Sequence, residues 1–96
     1  MRPHTLTYYN LRDLEQETGL PLWNHIFRYS GESEYYYFCI DDDEIQDWKD
    51  EIKDLQDETD AYSIEDRYVC EMKIALAEYI RRNTRETYGI VINIWS

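Results

Sequence analysis

Two cysteines, Cys39 and Cys70, and two histidines, His4 and His25, are the whole supply of soft metal ligands in this chain. A zinc site asks for four such residues in closely spaced pairs, and these are too few and too scattered. No apolar run approaches the ~18 residues of a membrane span, and the opening MRPHTLTYYN has no hydrophobic signal core. The expectation is a cytoplasmic protein with reduced thiols, in which Cys39 and Cys70 would pair only in an oxidising compartment. With three glycines in 96 residues there is no P-loop and no GxGxxG, and GxSxG and HExxH are also missing. Neither cysteine has a base beside it in the sequence, and both read as small core residues. No catalytic residue, cofactor or metal is therefore expected, and the chain does not read as an enzyme.

Bases are scarce as well. Ten Lys and Arg face 21 Asp and Glu, for a net charge of −11. An excess of this size repels nucleic acid and phospholipid surfaces and attracts basic ones, so neither direct nucleic-acid binding nor membrane binding is expected. The excess is local: residues 41–60 hold 11 acids against Lys49 and Lys53, a balance of −9, while the other 76 residues balance at −2.

What is abundant argues for a folded chain. The apolar share is 43% and the aromatic share 16%, with ten tyrosines, too much for a disordered polymer. A length of 96 residues suits one domain, 1–96, with a modest core. Residues 5–9 read as a strand. Asn10 can cap a helix over 11–18 that ends at Gly19, and Pro21 prevents its continuation. Residues 25–29 and 34–40 read as two strands of a hairpin joined by SGES.

The acidic helix is expected at about 41–58. Ser63 and Asp66 have the spacing of a capping box for the next helix. There Val69, Met72, Leu76, Tyr79 and Ile80 recur at helical spacing, with Ala75 and Ala77 allowing close packing and Arg81 and Arg82 suiting the C-terminal dipole. In TYGIVINIWS, Tyr88, Ile90, Ile92 and Ile94 alternate as in a strand buried on one face. The order β-α-β-β-α-α-β predicts an α+β domain: a small mixed or antiparallel sheet of three to four strands with about three helices on one side.

The segment DEIQDWKDEIKDLQDETD nearly repeats after seven residues. At ~100° per residue Ile45, Trp48, Ile52 and Leu55 form an apolar stripe, and Asp43, Asp47, Asp50, Asp54 and Asp57 lie opposite it. Glu44, Glu51 and Glu58 line one flank; Gln46, Lys49, Lys53 and Gln56 line the other. Over ~24 Å of helix the eight carboxylates give about one charge per ~3 Å, close to the ~3.4 Å axial charge spacing of one B-DNA strand. Solvated helices usually interleave signs, whereas 43/47, 47/51, 50/54 and 54/58 are like-charge pairs that destabilise a helix. Solubility is the plain explanation of such a face; use of the face for binding explains why the repulsion is tolerated.

Two other assignments fail. A calcium loop from Asp41 would need Gly and Glu where Gln46 and Ile52 stand, and barely two heptads are too few for a coiled coil. Tyr35, Tyr36 and Tyr37 must divide between the two faces of a strand, which makes them possible aromatic contacts.

In size, acidity, tyrosine content and the Asp/Glu-faced helix the chain resembles the small DNA-mimic inhibitors that phages and mobile elements use against restriction or CRISPR systems. That resemblance implies an inhibitor acting in the host cytoplasm, whose carboxylates occupy the basic nucleic-acid-binding groove of a defence enzyme. SIEDRYVCEMKIALAEYIRRN followed by GIVINIWS also resembles the closing helix and strand of barstar-like nuclease inhibitors. This second resemblance implies an antitoxin or immunity protein. A third reading is an adaptor that binds through exposed Tyr, Trp48 or Trp95. A homodimer through an open sheet edge or the Trp95 strand is compatible with each.

Overall fold

The computed structural model describes residues 8–29 and 34–94. Strand β1 (Tyr8–Asn10) runs directly into helix α1 (Leu11–Thr18). The Asn10 side chain caps that helix, accepting from the N–H groups of Arg12 at 2.9 Å and Asp13 at 3.3 Å. Gly19 ends it in the left-handed region at φ 71°, where a Cβ would be strained. After Pro21 come a short helix α2 (Leu22–His25) and a 3-10 turn (Phe27–Tyr29).

Helical structure here corrects the strand expected at 25–29, and with it the hairpin; its SGES turn lies outside the described residues. Ile26 and Phe27 are adjacent and both buried. A strand sends neighbours to opposite faces, whereas a helical turn can bury both together with Leu22, one turn earlier.

Strand β2 (Tyr35–Cys39) leads into α3 (Asp42–Asp54), then α4 (Ala61–Asn83) and β3 (Gly89–Asn93). Among the described residues the result is an α+β fold with four helices and one mixed sheet of three strands in the order β1-β3-β2. β1 pairs parallel to β3, with Tyr8 opposite Val91, and β2 pairs antiparallel, with Tyr37 opposite Val91 and Phe38 opposite Ile90. The last strand is thus the central one, and residues 89–92 are all buried. This corrects the expectation that only one face of it is covered.

The core joins Leu11 and Leu14 of α1, Phe38 of β2, Met72, Leu76 and Ile80 of α4, and Ile90 and Ile92 of β3. Helices therefore cover the Phe38, Ile90 and Ile92 face of the sheet. Tyr35 and Tyr37, of opposite parity on β2, are exposed.

Helix α4 begins three residues earlier than the Ser63 box implied. Asp60 is its cap, accepting from the Ser63 N–H at 3.0 Å and the Ser63 hydroxyl at 2.7 Å. Ser63 serves as donor rather than as cap.

Candidate functional site

Helix α3 starts at a cap of its own making. Asp41 accepts the Glu44 N–H at 2.8 Å, and Asp42, Asp43 and Glu44 fill the first turn, where the helix dipole favours negative charge. Part of the acidity at this end is thus ordinary helix chemistry. Asp42 is also paired with Arg81 of α4, an exposed pair that contributes little to stability.

The apolar stripe docks the helix. Ile45 is buried, and Trp48, Ile52 and Leu55 are half-buried. Trp48 stacks on Phe38 of β2, with ring centroids 5.6 Å apart and planes at 17°, and the Lys73 ammonium lies 6.0 Å from its ring centroid. Trp48 thereby ties α3 to both the sheet and α4.

The carboxylates divide into three groups. Asp43, Asp47, Asp50 and Asp54 are exposed on α3, and among the described residues none has a basic group within ion-pair distance. The Asp50 carboxylate accepts the Gln46 amide at 2.9 Å. Glu44 is half-buried, and Glu51, though exposed, accepts the Cys70 thiol at 3.4 Å. Asp57 and Glu58 are exposed but lie beyond the helix, which ends at Asp54 rather than near 58. The bonds there tighten into a turn, Gln56 N–H to Lys53 O and Glu58 N–H to Leu55 O, and Arg67 of α4 donates to the carbonyls of Gln56 and Glu58 at 2.9 and 3.1 Å. Six of the eight candidate carboxylates share one helix, and two belong to the α3–α4 connection.

The candidate aromatics also divide. Tyr36 turns to the core side, half-buried, with its ring edge-on to Phe27 at 4.9 Å. Tyr35 and Tyr37 are exposed, as is Tyr88 just before β3. Trp95 lies outside the described residues, and so does His4.

The two cysteines are free thiols. Burial first, then the hydrogen bond to Glu51 and its charge, push the Cys70 thiol up to about 11. A thiol so placed is a poor nucleophile. Cys39 is raised too, by burial and then by Glu44 and Asp41. Among the described residues no three His, Cys, Asp or Glu side chains gather as a metal-binding set, and no helix is long and apolar enough to cross a membrane.

One arrangement had no signal in the sequence. Two cavities that share Tyr36 of β2 and Lys73 of α4 form a trough beside that strand. One part, about 200 Å³, is lined by residues 36–39 with Glu44, Trp48 and Lys73. The other, about 450 Å³, is lined by His25, Ile26, Tyr36, Glu65, Asp66, Val69 and Lys73. Tyr36 and Lys73 are common to both. His25, expected on a strand, stands on α2 with its Nδ1 2.7 Å from Glu65 of α4, and its ring meets Tyr68 edge-on at 4.9 Å. These residues come from four elements with no common spacing, so no motif could have gathered them.

No family model, curated protein or solved structure matches this chain.

Proposed function

We propose that this protein is an acidic inhibitor of the anti-restriction or anti-CRISPR kind. It blocks the basic nucleic-acid-binding groove of a DNA- or RNA-processing defence enzyme with a phosphate-like array of carboxylates. The observation that carries the reading is the exposed row Asp43, Asp47, Asp50 and Asp54 on α3, without a basic partner among the described residues. From Asp43 to Asp54 the helix rises ~16 Å. With Glu44 and Glu51 on its flank, the row keeps about one charge per ~3 Å, the axial density of a nucleic-acid strand. A surface built for phosphates would gain the same electrostatic attraction from it.

The test is capture from host lysate at low salt, elution by a salt gradient, and competition by DNA and RNA. A nucleic-acid enzyme eluting late, displaced by nucleic acid and lost by the Asp47→Asn/Asp50→Asn/Asp54→Asn variant, supports the proposal. Full affinity in that variant overturns it. If the captured enzyme is a nuclease toxin encoded beside the inhibitor, the antitoxin reading replaces the defence-enzyme one.

A second reading, an adaptor, draws on the exposed Tyr35, Tyr37 and Tyr88. Tyrosine supplies a rigid ring and a polar tip at interfaces. It requires binding that falls with Tyr→Ser changes and depends little on salt.

A further inference from the structure

Among the described residues β2 is an edge strand, and its register says which backbone groups face out. Ile40 N–H donates to Tyr88 O and Ile94 N–H to Glu34 O, so the even-numbered residues of this segment turn their backbone groups toward β3. The odd-numbered ones turn outward. The outward N–H and C=O of Tyr37 and Cys39 meet no partner among the described residues. The strand YYYFC carries no charge and no proline, two of the devices that blunt an open edge.

We infer that the β2 edge is a docking site for an extended, basic segment of a partner protein, which adds to the sheet as a fourth strand. Alternate side chains of such a strand fall on opposite faces. One set enters the trough beside β2, where Glu44, Glu65 and Asp66 outnumber Lys73; the other lies over the exposed Tyr35 and Tyr37. A second copy fits worse than a basic strand. Antiparallel pairing of two β2 strands about Tyr37 would set Glu34 of each copy near the Asp41–Glu44 turn of the other, between chains of charge −11.

This deepens the proposed function and rests on it only for the basic character of the partner. The probe is a capped hexapeptide of alternating lysine and valine, compared with one of alternating glutamate and valine. The measurements are amide exchange at Tyr37 and Cys39 by NMR, and peptide affinity. The lysine peptide should slow exchange at both amides. Cys39→Pro, which removes an outward N–H but no bond to β3, should weaken it about tenfold; so should Glu44→Gln/Asp66→Asn, which keeps the test open if the proline variant unfolds. The Asp47→Asn/Asp50→Asn/Asp54→Asn variant should still bind the peptide at β2, which separates this inference from the carboxylate row. Unprotected Tyr37 and Cys39 amides, equal binding of the glutamate peptide, loss of binding in the α3 variant, or a dimer that buries this edge in sedimentation would each overturn it.

Discussion

Trp48 of the acidic helix stacks face to face on Phe38 of the edge strand, with 5.6 Å between ring centroids. This contact orients the carboxylate row, because a helix anchored only by Ile45 and its half-buried neighbours could roll about its axis. Trp48→Ala should destabilise the protein by about 2–4 kcal/mol, read from denaturant unfolding. Trp48→Phe, which retains a ring against Phe38, should recover more than half of that loss.

Gly89 has no side chain because the Tyr37 ring lies over it: a Cβ at 89 would run into the Tyr37 hydroxyl oxygen. Gly89→Ala should therefore cost about 1 kcal/mol, since the tyrosine must swing aside. In a Tyr37→Ala background the same change should be neutral or stabilising, because alanine suits a strand better than glycine. A double-mutant cycle measures the difference.

Repulsion along α3 is a stability cost that salt should relieve. The pairs 43/47, 47/51 and 50/54 are like-charged at i,i+4. The Asp47→Asn/Asp50→Asn/Asp54→Asn variant should melt roughly 4 °C higher than the parent at low ionic strength. In 1 M NaCl, where the screening length falls to ~3 Å, the gap should close. The circular dichroism spectrum should not change.

Cys70 makes stability fall in alkali. The unfolded thiol loses its proton near the ordinary value of 9.0, while the folded one holds it to about 11. Between those values the unfolded state binds fewer protons, so unfolding becomes easier as pH rises. Below pH 9 the full contribution is present. Cys70→Ala should flatten the decline, and iodoacetamide should modify Cys39 before Cys70 in the native protein.

At the other end of the scale stands Asp60, the cap of α4. Its bonds from the Ser63 hydroxyl and N–H hold the carboxylate below its ordinary value of 3.8. The contribution is therefore complete above that value and is lost as pH falls through the folded one. Asp60→Ala should lower the melting temperature at pH 7 by roughly 4–8 °C, and by less at pH 3.

Local rules were legible wherever one element satisfied them alone. Asn10 and Gly19 bound α1, the stripe of Ile45, Trp48, Ile52 and Leu55 docks α3, and Met72, Leu76 and Ile80 anchor α4, because capping and 3.6-residue periodicity act within a few turns. Six of the eight acidic candidates share α3 for the same reason, while Asp57 and Glu58 fall in the turn after Asp54, where bonds from Arg67 of α4 decide the backbone. Where composition stood in for periodicity, the sequence misled: the run HIFRY is β-branched and aromatic enough to read as a strand, and only contact with the core decides for a helical turn that buries Ile26 beside Phe27. The place of GIVIN at the centre of the sheet, the open edge of YYYFC and the trough between β2 and α4 join residues tens of positions apart. Strand order depends on which faces find cover, and that is settled by packing of the whole chain. Residue identity and spacing make α3 acidic and amphipathic without help from the rest of the chain; long-range packing sets which carboxylates stand exposed and, among the described residues, which edge is open beside them.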